Sequence, residues 1–153
     1  MSNSGIKTAC FSGNLPQSTD RILYKRNKKR RALQESLKKM MIQLIEKEGV
    51  KCFISGMNKG VDMMGAEIVL ELKSRYPDIA LECVLPYENQ ASEWSERLRR
   101  RYFNTIELSD KEVLLQTRYT EDCMSRLNQY LNDESDYMIT VCDGGNLKVR
   151  KSH

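Results

Sequence analysis

The chain has 153 residues, 40% of them apolar and only three of them proline, which is the length of one domain with material for one sizeable core. A formal charge of +4 is too small to indicate a nucleic-acid binder without a local patch, and a sole histidine at the last position, His153, leaves a Ser/His or Cys/His catalytic pair and a histidine-rich metal site without their central residue. No run approaches ~18 apolar residues, Met1–Ser4 lacks a signal-peptide pattern, and Cys10, Cys52, Cys83, Cys123 and Cys142 include no CxxC pair, so a cytoplasmic protein with buried free thiols, away from membranes, is expected.

Ile6–Ser12 (IKTACFS) reads as a strand that runs into a turn at Gly13. Arg31–Lys47 carries Leu33, Leu37, Met40, Met41, Leu44 and Ile45 at helical spacing, which predicts one apolar helix face closed by Gly49. A second strand, Val50–Ser55 (VKCFIS), also ends in Ser-Gly, and Met64, Ile68 and Leu72 mark the helix after it. Ala80–Leu85 (ALECVL) is a third strand stopped by Pro86. Ser92–Leu108 predicts a third helix with Ser92 as N-cap and Glu93 and Glu96 in its first turn. Glu112–Thr117 is a fourth strand, and Thr120–Asn132 a fourth helix capped by Thr120 with Met124, Leu127 and Leu131 on one face. Tyr137–Cys142 (YMITVC) is a fifth strand, ending at Asp143-Gly144. This alternation predicts an α/β Rossmann-like three-layer sandwich, a parallel sheet of about five strands with helices on both faces, spanning residues 1–153 as a single domain. A sheet ending at strand five exposes an edge, which argues for a homodimer.

In such a sheet ligands collect at the carboxyl ends of the strands, where helix amino ends point N–H groups inward. The first corner is Ser12-Gly13-Asn14-Leu15-Pro16, and the second is Ser55-Gly56-Met57-Asn58-Lys59-Gly60-Val61-Asp62, directly before a helix. Two glycines four apart let backbone amides approach an anion, with Ser55 and Lys59 as further donors; equally, each glycine can serve a turn that needs φ > 0. Asp62 fits a helix N-cap, or an acceptor for a ribose hydroxyl or a base. Tyr87, Trp94 and Tyr119 lie near strand ends, where an aromatic face can stack on a base or pack on a helix end. Lys25, Arg26, Lys28, Lys29, Arg30 and Arg31 form a basic run at the amino end of the first helix, and Arg97, Arg99, Arg100 and Arg101 a second cluster. Each suits a solvated face or phosphate contacts, including those of a nucleic acid.

The segment Ile54–Leu70 (ISGMNKGVDMMGAEIVL) resembles the Ser-Gly-hydrophobic-x-x-Gly-hydrophobic-Asp loop and helix of the SLOG superfamily, which includes the DNA-processing protein DprA (Smf) and LOG-type nucleotide hydrolases. Tyr119-Thr120, Cys123-Met124, Asn128, Tyr130, Asp133 and Ser135-Asp136 are similar to the helix-four pattern of its YpsA-like branch, and Asp143-Gly144 to the end of that branch's fifth strand. The resemblance implies recognition of a nucleotide or a nucleotide-derived, ADP-ribose-like phosphate ligand in a bacterial protein. Ser12 and Gly13 would form one phosphate loop, Ser55 through Asp62 (Ser55, Gly56, Met57, Lys59, Gly60, Asp62) the other, and Asp143 and Gly144 a facing wall, with Asn128 beside Tyr87, Trp94 and Tyr119. Asn14-Leu15 replaces the branch's His-Arg, and GGNLKVRKSH follows the fifth strand where the branch has Gly-Gly-Thr and a further helix, so a member lacking that loop and last helix is expected.

A binding module, or sensor, is therefore the leading expectation, with DprA-like binding of single-stranded nucleic acid as one alternative and nucleotide N-glycoside hydrolysis as another. The PGGxGTxxE motif of the LOG-type hydrolases is absent, and Glu67 has no second carboxylate of known placement, so no catalytic residue is assigned and no metal is expected.

Overall fold

Short β-branched and aromatic runs alternate with segments of helical periodicity, and the computed structural model turns that pattern into one sheet flanked by helices. The structure describes residues 5–12, 28–141 and 146–151. In chain order these form β1 (Lys7–Ser12), α1 (Lys28–Glu48), β2 (Val50–Ser55), α2 (Val61–Leu72), β3 (Ala80–Leu85), α3 (Glu96–Leu108), β4 (Lys111–Leu114), α4 (Cys123–Glu134), β5 (Tyr137–Val141) and β6 (Leu147–Lys151).

The sheet order is β4-β3-β2-β1-β5-β6, with the first five strands parallel and β6 antiparallel to β5. From β1 the chain steps outward through β2 and β3 to β4, then returns past β1 to place β5 on its other side. Crossovers of one hand must then put the first three helices on one face and the returning helix on the other. The core divides accordingly. Residues of α1, α2 and α3 pack with Ala9, Phe11, Phe53, Leu81 and Ile139, whereas Leu127 and Leu131 of α4 pack with Cys10, Ile54, Val84 and Met138. The period-two alternation of each strand supplies both faces.

Several expected boundaries move. The first helix begins at Lys28, inside the basic run, because Lys and Arg are good helix formers even where the dipole opposes them. Ser95, not Ser92, caps α3, accepting from the Leu98 amide at 3.3 Å. Residues 89–94 form turns that bury Ala91 and set Trp94 edge-on to Tyr102, so Glu93 lies outside the helix. Asp122 occupies the N-cap position of α4 instead of Thr120, whose hydroxyl donates to the Asp122 carboxylate. The fourth strand is Lys111–Leu114, displaced toward the amino end from the expected 112–117.

The largest correction is β6. Among the described residues the sheet has six strands where about five were expected, and β5 is an interior strand, so the edge expected there is covered. The edges are β4 and β6, and β6 carries exposed Lys148, Arg150 and Lys151, charges of the kind that discourage strand-to-strand association. The case for a dimer through the edge of β5 therefore falls.

Among the described cysteines, Cys10, Cys83 and Cys123 are buried free thiols and Cys52 is half-buried; Cys142 lies outside the described residues. Burial pushes Cys10 and Cys52 up to about 11 and Cys83 up to about 12, which leaves them protonated and unreactive at neutral pH. Among the described residues no helix is long and apolar enough to cross a membrane.

Candidate functional site

β1 and β2 are adjacent and parallel, with Cys10 opposite Ile54, so Ser12 and Gly56 leave the sheet at the same rim. Ser12 is half-buried there, while Gly13, Asp143 and Gly144 lie outside the described residues, as do Lys25 and Arg26.

The second corner is a closed unit. The Ser55 hydroxyl donates to the Asp62 carbonyl at 2.8 Å and accepts from the Met57 amide at 3.1 Å, so it is consumed within the loop. Ser55 and Met57 are fully buried, and Met57 holds a φ of +60°. Gln90, from the segment after β3, donates to the carbonyls of Gly56 and Met57 at 3.3 and 3.0 Å. Those carbonyls are thereby held by a side chain from the neighbouring strand's loop. Replacing Gln90 with Leu is expected to cost about 1–3 kcal/mol, the penalty for buried acceptors left without a donor, measurable by urea unfolding.

Each glycine of the corner has its own physical reason. Gly60 is the N-cap of α2 at φ +102°, a conformation side chains rarely adopt. At Gly56 a Cβ would come within 2.8 Å of the Leu127 side chain and 3.4 Å of an Asp62 carboxylate oxygen, so close packing under α4 demands glycine. Lys59 is exposed and Asn58 and Gly60 are half-exposed, leaving these three as the accessible part of the corner.

Asp62 is not the cap. With the helix starting at Val61 its side chain is already inside the first turn, and Gly60 caps without a side-chain bond. The carboxyl is 4% exposed, accepts a hydrogen bond from the Asn58 amide and leaves Oδ1 without a partner among the described residues. Burial, only partly offset by that bond, pushes its pKa up to about 7. Asp62 is thus a buried acid at a helix amino end with one oxygen lacking a partner among the described residues, which marks it as a candidate site residue.

Beside this corner α4 is pinned to the sheet by Leu127, Leu131 and a 2.9 Å bond from the Tyr130 hydroxyl to the buried Glu82. Its outer side carries Ser125, Asn128, Gln129 and Asn132, which with Ser12, Met138 and Arg150 line a groove of about 400 Å³. The Arg150 guanidinium lies 3.5 Å from the Met138 sulfur. Of the expected residues, then, Ser12 and Asn128 come together in this groove. Ser125, Gln129 and Asn132 were missed, although a polar stripe at i, i+3, i+4 and i+7 was legible; Arg150 had no signal, because β6 was not recognised.

Other expected residues sit elsewhere. Tyr87 and Tyr119 make an edge-to-face pair at 5.2 Å beyond β3 and β4, and Trp94 is edge-on to Tyr102 at 5.2 Å, so Trp94 serves packing. Glu67 is held by Arg101 through two hydrogen bonds of 2.7 and 3.0 Å, and Arg100 pairs with Glu96, so half of the second basic cluster is engaged in ion pairs.

A sequence profile described as the YspA SLOG family, YpsA, matches residues 18–151. The chain belongs to the YpsA SLOG family. Similar relatives are a UPF0398 protein of Halalkalibacterium halodurans, 31% identical over 72% of this chain and 59% of its own length, and one of Lactobacillus acidophilus, 39% identical over 70% and 58%. The UPF0398 protein YpsA of Bacillus subtilis is 25% identical over 72% of this chain and 62% of its own length. This SLOG chain thus spans about three fifths of the length of the curated relatives it matches. The match takes in the Ser55–Asp62 corner and the polar face of α4, while Ser12 lies before its first residue.

Proposed function

We propose that this YpsA SLOG chain is a binding module for a nucleotide or nucleotide-derived phosphate ligand, seated at the carboxyl ends of β1 and β5. The observation that supports the reading is the polar groove containing Ser12, Asn128 and Arg150: it opens at Ser12, the last residue of β1, beside the point where the strand order reverses between β1 and β5, and runs back along the sheet to Met138 and Arg150, level with Cys10. Arg150 supplies a cation for a phosphate, and the amides of Asn128, Gln129 and Asn132 supply donors and acceptors for a sugar or base. Asp62, next to this rim, offers an acceptor for a ligand hydroxyl or N–H. Among the described residues no pair of carboxylates and no nucleophile–base pair joins these groups.

The test is a thermal-shift and calorimetric panel of phosphate, AMP, ADP, ADP-ribose and NAD against the wild type, Arg150→Ala and Asn128→Ala. At 100 times its dissociation constant a ligand adds about 2.7 kcal/mol of stability. Loss of the charged contact in Arg150→Ala should weaken binding by about ten- to a hundredfold. Absence of any shift in the wild type, or unchanged affinity in both variants, would overturn the reading. An affinity for single-stranded oligonucleotides that falls steeply with salt would favour the nucleic-acid alternative instead.

A further inference from the structure

The outer face of α3 carries an exposed aromatic among charges of both signs. Glu96, Arg99, Arg100, Phe103, Asn104 and Glu107 recur at i, i+3, i+4, i+7, i+8 and i+11 and line a shallow groove of about 500 Å³. Phe103 is 59% exposed, yet its ring is steadied edge-on against the buried Tyr102 at 5.0 Å, which in turn meets Trp94. A large, held aromatic in a charged rim is the usual anchor of an interface. Arg99 and Glu107 form no ion pair among the described residues, and they cannot pair with each other, because eight residues of helix separate them by about 12 Å.

We propose that two copies of this chain associate through α3, antiparallel, about a twofold axis at Phe103. Arg99 lies four residues before Phe103 and Glu107 four residues after it. Reversing one helix about Phe103 therefore sets the Arg99 of each copy level with the Glu107 of the other, twice by symmetry, and Arg100 one residue nearer on the same contact. Phe103 meets its own counterpart in the middle. The charge order along the face suits a copy of itself in this direction and opposes a parallel pairing, which would stack like charges.

The test is the mass in solution by light scattering and sedimentation over a micromolar concentration series, with folding of every variant checked by circular dichroism. The wild type is expected at twice the 17.8 kDa chain mass. Phe103→Glu should yield monomer, and Arg99→Glu or Glu107→Arg should each raise the dimer dissociation constant by about tenfold or more. Because the exchange is symmetric, the double variant Arg99→Glu/Glu107→Arg should dimerise again, and a mixture of the two single variants should form a heterodimer. A wild type that stays monomeric, as when another part of a longer chain covers this face, overturns the proposal. So does a dimer indifferent to Phe103→Glu, or a double variant that fails to recover.

Discussion

Asp62→Asn is expected to change the pH dependence of stability strongly between pH 4 and 8. An unfolded aspartate titrates near 3.8, whereas burial holds the folded Asp62 at about 7. Between those values the folded protein carries a proton that the unfolded chain has lost, so unfolding releases it and stability falls as pH rises through the window, levelling off above 7. At about 1.4 kcal/mol for each pH unit separating the folded from the unfolded value, the loss between pH 4 and 8 reaches at most about 4 kcal/mol. The asparagine variant removes the proton exchange. The stability difference between wild type and variant, from urea unfolding at pH 5, 6, 7 and 8, should therefore move in favour of the variant as pH rises. A difference that is flat with pH would show that Asp62 titrates normally in the folded protein. A bound ligand that donates a hydrogen bond to the free oxygen should pull the value down, and its affinity should then rise with pH across neutrality.

Gly65→Ala should destabilise the fold despite improving helix propensity. Gly65 lies in α2 over β1, and a Cβ there would stand 2.4 Å from two ring atoms of Phe11, which is itself fully buried and stacked near Phe53 with ring centroids 6.2 Å apart. Alanine gains about 1 kcal/mol of propensity over glycine in a helix interior. Overpacking of a full core costs about 1–3 kcal/mol, and here the obstacle is a ring wedged between two layers rather than the free end of a flexible chain. The clash is expected to win, with a net loss of up to about 2 kcal/mol and a lowered melting temperature. Phe11→Leu in the Gly65→Ala background should recover part of the loss, giving a coupling of about 0.5–3 kcal/mol in the double-mutant cycle. Strict additivity would mean that the two residues do not press on each other.

The two predictions fall on residues that the sequence treats very differently. Asp62 is conspicuous in the chain, at the end of a glycine loop and the start of a helix, and from position alone reads first as a cap and second as a ligand contact. The cap reading failed because the helix already begins at Val61, and the side chain folds back onto the Asn58 amide. Gly65 gives no signal at all, since a lone glycine in a helical pattern looks like a weakness until Phe11 is seen against it.

Sequence by itself determined the alternation of elements, the family and the common rim at which β1 and β2 end, because hydrophobic period and turn chemistry act over a few residues and survive in the linear order. It also marked Ser12 and Asn128, which the fold draws into one groove. Only the tertiary structure decided what each of these does: that Ser55 is spent inside its own loop, that Gly56 serves Leu127, that Asp62 is buried with one oxygen unused, and that Arg150 arrives on a sixth, antiparallel strand. Burial, strand order and the pairing of polar atoms depend on residues far apart in the chain. No local pattern carries them.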